Sequence, residues 1–137
     1  MMHSFRTGFL TAVSFPVLLA IFAPSASAET LDVPIYEDAS DGQAANCGGG
    51  TVMGLKKGGD GFLAVRTGPG ANYRKIGELH NGDRVSIIET RDGWYGVIVP
   101  GGSVDQTDAC RRAGPRRKLS GSGLGWVSGR WIGEIYP

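Results

Sequence analysis

Val65-Arg66-Thr67-Gly68-Pro69-Gly70-Ala71-Asn72-Tyr73-Arg74-Lys75-Ile76-Gly77-Glu78-Leu79-His80-Asn81-Gly82 is the stretch on which the fold turns. Two short apolar runs, Phe62 to Thr67 and Ile76 to Leu79, flank a Gly-Pro-Gly break. Leu63 and Val65 share one face of the first run by two-residue alternation. Proline fixes φ and glycine admits positive φ, so Gly68-Pro69-Gly70 reads as a tight loop between strands. A Gly-x-Gly can also cradle phosphate, but no helical pattern follows to supply a dipole and free amides. Asn81-Gly82 then signals a tight hairpin.

The same rhythm continues toward the C-terminus. Asp83 to Thr90 alternates, with Val85 and Ile87 facing one way and Arg84 and Ser86 the other. Asp92-Gly93 suits a type I′ bend, and Trp94 to Val99 forms the next strand with Val97 inward. Pro100 to Gly123 is polar and rich in Gly and Arg, too long for a hairpin loop, and reads as an insertion or functional loop. Gly125-Trp126-Val127 resumes as a strand with Val127 inward, Ser128-Gly129-Arg130 as one helical turn, and Trp131 to Tyr136 as the closing strand. Toward the N-terminus, Thr51 to Leu55 is the first plausible strand, and Gly48-Gly49-Gly50 is expected to leave regular structure. Residues 29–46 are acidic and polar with isolated Val33, Ile35 and Tyr36. They predict extended or mobile chain, with one short strand at most. Short strands between Gly-rich turns, with no sustained helical period, predict a small all-β barrel or sandwich.

The first 28 residues carry a different message. Arg6 gives a positive start, Phe9 to Phe22 is an apolar run, and Ala26-Ser27-Ala28 supplies the small-x-small pattern of a signal-peptidase site. The apolar run falls short of the roughly 20 residues a membrane-spanning helix needs. Cleavage after Ala28 is therefore expected, with no stable membrane span afterwards. A periplasmic location follows as the expectation, and secretion is the other outcome of the same signal. Cleavage removes one of the 14 basic residues, Arg6, and none of the 13 acidic ones, leaving a balanced chain. Balance gives no reason to expect nucleic acid or an anionic bilayer as partner. In an exported chain the two cysteines, Cys47 and Cys110, predict one disulfide, which tethers the long loop to the N-terminal segment.

Val65-Arg66-Thr67-Gly68-Pro69-Gly70, Tyr73, Ile76-Gly77-Glu78-Leu79 and Gly82 together resemble the opening of a bacterial SH3 domain. Gly93-Trp94-Tyr95 with Val97, and Gly125-Trp126-Val127 with Arg130-Trp131-Ile132, resemble its middle and closing strands. The likeness spans residues 51 to 135. It implies a small, partly open SH3-like barrel of about five strands. It also implies a cell-wall targeting or envelope-interaction module that binds peptidoglycan or an envelope protein. The domain organisation is then a signal peptide at 1–28, an extended segment at 29–50 and the SH3-like domain at 51–137 with its insertion at 100–123.

Two sets of residues are candidates for contact. Tyr73, Trp94, Tyr95 and Trp131 are aromatic, and by the resemblance Trp131 sits where a groove-lining aromatic does, with Tyr73 on the loop opposite. Such rings stack on sugars or grip an extended peptide, although in so small a barrel each is as readily a core residue. Arg111, Arg112, Arg116, Arg117 and Lys118 form the basic cluster. It reads as a solvated loop, as a contact for an anionic envelope polymer, or as the surface of a protein-interaction or inhibitor module. No catalytic set is apparent: a cysteine dyad needs a base, and the mature chain holds only His80. A lone histidine with both cysteines oxidised predicts no metal and no cofactor. Asp60, Asp83 and Asp92 are explained by turn chemistry.

Overall fold

Alternation along the central strands separates two apolar sets, and the fold buries both. The computed structural model describes residue 8 and residues 29–39, 48–57, 61–104 and 114–136. Within them the strands are β1 (Tyr36–Ala39), β2 (Gly48–Val52), β3 (Leu63–Arg66), β4 (Lys75–Leu79), β5 (Arg84–Arg91), β6 (Trp94–Val104), β7 (Gly114–Lys118), β8 (Gly121–Ser128) and β9 (Ile132–Tyr136). A single 3-10 turn, Gly129–Trp131, joins the last two, at the place where one helical turn is expected. No α-helix occurs among the described residues, and no helix there is long and apolar enough to cross a membrane. The expected signal segment, residues 1–28, lies outside the described residues apart from Gly8.

Seven strands form one antiparallel sheet in the order β4-β3-β8-β6-β5-β2-β9, and β1 pairs with β7 in a separate two-stranded sheet. The large sheet is not closed by hydrogen bonds, yet it curls. Val52, Leu63, Val65, Leu79, Val85, Val97, Val127 and Ile132 come from all seven of its strands and meet in one inner core. Val97 and Val127 are fully buried there, facing inward as their parity requires. Burying each such aliphatic side chain contributes about 1.5–3 kcal/mol. The all-β, partly open barrel expectation holds, with more strands than the five expected.

Three elements differ from the reading of the sequence. The Gly48-Gly49-Gly50 run is not irregular but forms β2, paired with β5 and β9. Its missing side chains make room: a Cβ on Gly49 would stand 2.3 Å from the Tyr136 ring, and one on Gly50 2.4 Å from Ile132. Where it is described, the region from Pro100 to Gly123 is largely strand, since β6 runs on to Val104, β7 spans Gly114–Lys118 and β8 begins at Gly121. Asn81-Gly82 makes a turn but no hairpin, because β4 and β5 are not neighbours in the sheet. Instead the Asn81 carboxamide accepts from the Leu55 N–H at 3.0 Å and donates to the Leu55 carbonyl at 2.9 Å. Flanking bonds between Val52 and Gly82 and between Val52 and Asp83, each 2.8 Å, complete the seam. By contrast, Asp92 (φ 50°) and Gly93 (φ 81°) both adopt positive φ, as a type I′ bend between paired strands demands.

Residues 29–39 are extended with one short strand, as expected, but they are packed rather than mobile, lying as a strap on the outer face of β5, β6 and β8. A second core forms under it from Ile35, Ile88, Leu119, Leu124 and Trp126, flanked by Leu31, Val33, Trp94, Ile98 and Val104. Ile35 and Trp126 are fully buried. Gly96 permits this contact, since a Cβ there would come within 3.0 Å of the Ile35 side chain. The strap is pinned by polar bonds as well. The Val33 N–H donates to the Thr67 carbonyl at 3.0 Å, and the Leu119 N–H donates to the Ile35 carbonyl at 2.9 Å. The buried Thr67 hydroxyl donates to Asp32, and the Trp126 indole N–H donates to the Val33 carbonyl at 2.8 Å.

Candidate functional site

Strand parity divides the aromatic candidates before any ligand is considered. Tyr95 is in register with Val127, and Trp94 with Ser128, so adjacent rings leave β6 on opposite faces. Tyr95 and Trp131 pack half-buried on the inner core, beside Leu55, Ile76 and Val99. Trp94 packs on the outer core with the strap. It therefore does not share a surface with Tyr95.

The 3-10 turn sets the Tyr95–Trp131 pair. The Gly129 N–H donates to the Gly93 carbonyl at 2.8 Å, drawing the turn onto the Asp92-Gly93 bend. Tyr95 lies against Gly129, where a Cβ would come within 2.8 Å of its ring. Trp131 is the last residue of the turn and packs beside Gly54, 3.6 Å from the position a Cβ would take there. Its carbonyl accepts from the Met53 N–H at 2.9 Å. Arg130, exposed on the turn, holds its guanidinium 5.3 Å from the Trp131 ring centroid. Two half-buried rings and one exposed guanidinium thus border one 3-10 turn. Ring faces can stack on apolar sugar faces, and the guanidinium can pair a carboxylate. Arg130 was not among the candidates from sequence, though its position next to Trp131 in a turn is the signal that finds it.

Tyr73 serves its own loop. Its ring covers Gly68 and Gly70, where a Cβ would come within 2.5 Å and 3.3 Å of the ring respectively. Its carbonyl accepts from the Arg66 guanidinium at 2.9 Å. The Gly-Pro-Gly segment is thus a self-packed turn, with the Gly70 N–H bonded to the Gly68 carbonyl at 2.9 Å.

The basic cluster is not a free loop where it is described. Arg117 points inward and binds the buried Glu37 carboxylate through Nε at 2.7 Å and Nη2 at 2.6 Å. Arg116 stacks on Tyr36, 3.9 Å from the ring centroid. Lys118 is exposed opposite Tyr36 in the β1–β7 register. Arg111, Arg112, Cys47, Cys110 and Asp60 lie outside the described residues, and with them the expected disulfide. Among the described residues no group of three or more His, Cys, Asp or Glu side chains could hold a metal ion. His80 occupies the turn before β5, where its backbone N–H donates to the Asp83 carboxylate at 2.7 Å.

Residues 61–133 match the family model of the bacterial SH3 domain. The match begins before β3 and ends within β9, so it includes the Gly-Pro-Gly loop, the 3-10 turn and the Tyr95–Trp131 pair, but not the strap. Neither the curated proteins nor the solved structures give a significant match.

Proposed function

Because the chain belongs to the bacterial SH3 domain family, a family of binding modules often found at the cell wall, we propose that it is an exported, non-catalytic module that attaches to peptidoglycan in the periplasm and supports envelope integrity. The observation that carries this reading is the Tyr95–Trp131 pair held about the Gly129–Trp131 turn, with Arg130 over the indole. Peptidoglycan offers what such a surface takes: sugar rings with apolar faces and peptides with free carboxylates. The signal-like N-terminus supports the address, and the single histidine left after cleavage supports a role in binding rather than histidine-based catalysis.

The test is binding of the purified protein to sacculi, compared with Trp131→Ala and Arg130→Ala variants whose far-ultraviolet circular dichroism matches the parent. Loss of binding in both folded variants supports the assignment. Unchanged binding in both would move the contact surface away from the turn.

A further inference from the structure

A cleft of about 190 Å³ opens where the strap passes the end of β7 and the start of β8. An engineered apolar cavity of about 150 Å³ accepts benzene, so the space is enough for one apolar side chain. Its aliphatic walls come from Leu31, Pro34, Ile35, Leu119 and Leu124. Ile35, Leu119 and Leu124 are buried residues of the outer core, so the floor of the cleft is continuous with that core.

The rim supplies charge. Lys118 lines the cleft, and Arg116 lies two residues earlier on the same side of β7, stacked on Tyr36. Among the described residues neither cation is held by a carboxylate, whereas Arg117 between them is turned inward to Glu37. The acidic residue at the rim, Glu29, is paired with Arg74 at 2.6 Å. On the maturation proposed above, the Glu29 α-ammonium adds a further cation at the same rim. Among the described residues, Lys118 is therefore the lining charge with no carboxylate partner, at the mouth of an aliphatic floor.

We propose that this cleft is a second binding site, independent of the Tyr95–Trp131 surface, that takes the C-terminal residue of a peptide. An aliphatic last side chain fills the floor, and the terminal carboxylate pairs with Lys118. The open form of the cleft favours a side chain carried on a peptide over a long acyl chain, which needs an enclosed tunnel.

The test follows the amide resonances of the purified, 15N-labelled protein on titration with N-acetyl-leucine. Saturable shifts centred on Leu119, Ser120, Gly121 and Leu124 are expected, with affinity about tenfold weaker in Lys118→Ala and restored in Lys118→Arg. N-acetyl-leucinamide, which lacks the charge, and N-acetylglycine, which lacks the side chain, should each bind at least about tenfold more weakly. Absence of saturable shifts would overturn the proposal. Equal binding of the amide would overturn the carboxylate contact, and equal binding of N-acetylglycine would overturn the role of the floor. Lys118 is exposed, so its replacement leaves the core intact. Sacculus binding read separately tells failure here from failure of the peptidoglycan reading.

Discussion

The indole Nε1–H of Trp126 donates to the backbone carbonyl of Val33 across 93 residues of sequence, at 2.8 Å. This bond ties a segment outside the family match to the centre of the sheet inside it. The matched strands alone would expose Trp126, Leu124 and Ile88 on their outer face. With the strap in place, that face becomes a second core.

Replacing Trp126 separates the hydrogen bond from the packing. Trp126→Phe keeps an aromatic ring but strands the Val33 carbonyl, and should destabilise by about 1–3 kcal/mol. Trp126→Ala also empties the outer core and should reach about 3–5 kcal/mol. Urea unfolding with the slope held constant measures both, and equal losses would show that the bond contributes nothing.

Gly96 and Ile35 should be coupled. A methyl group on Gly96 presses on Ile35 at 3.0 Å, so Gly96→Ala should destabilise by about 1–3 kcal/mol through overpacking. In an Ile35→Ala background that penalty should shrink, giving a coupling of about 0.5 kcal/mol or more in a double-mutant cycle. Additive losses would mean the strap does not rest on Gly96 in solution.

The Glu37–Arg117 pair predicts an asymmetric result. Glu37 is almost wholly buried, and among the described residues its Oε1 has no hydrogen-bond partner. Arg117→Met leaves that carboxylate without its cation and should destabilise by about 3–5 kcal/mol. The double variant Glu37→Leu with Arg117→Met removes both charges and should recover most of the loss. Thermal denaturation of the three proteins checks this. No recovery in the double variant would show that the pair is needed for something beyond charge compensation.

Asn81→Ala removes both bonds to Leu55 from a solvent-exposed seam and should destabilise by about 1–2 kcal/mol. Asn81→Asp retains the acceptor and loses the donor, so it should fall between the two proteins. Hydrogen exchange at the Leu55 amide reports the seam directly, and unchanged protection in Asn81→Ala would remove the clamp from the account.

Much of this fold is legible in the sequence, for reasons that particular residues make plain. Val97 and Val127 alternate with their neighbours and bury inward, and Asp92-Gly93 carries the positive φ its turn demands. The strap is harder to see because Val33 and Ile35 sit singly among polar residues, where no period can reveal them. The signal lies in their partners. Trp94-Tyr95-Gly96-Val97-Ile98-Val99 is apolar on both faces, as are Ile87 and Ile88 in succession, and strands buried on two sides need a cover on each. Glycine misleads in both directions, since Gly48-Gly49-Gly50 marks close packing under Tyr136 and Ile132 rather than a flexible break. At the proposed site, Trp131 stands out as a candidate only through the family resemblance, which puts it where a groove-lining aromatic sits. The separation of Trp94 from Tyr95 requires knowing that both faces of β6 are covered.

The most direct test of the central claim is co-sedimentation of the purified protein with isolated sacculi while the wash salt is raised stepwise. The account predicts binding that persists at high salt, because stacking on Tyr95 and Trp131 is not screened, and that is lost in a folded Trp131→Ala variant. Absence of sedimentation at every salt concentration would contradict it.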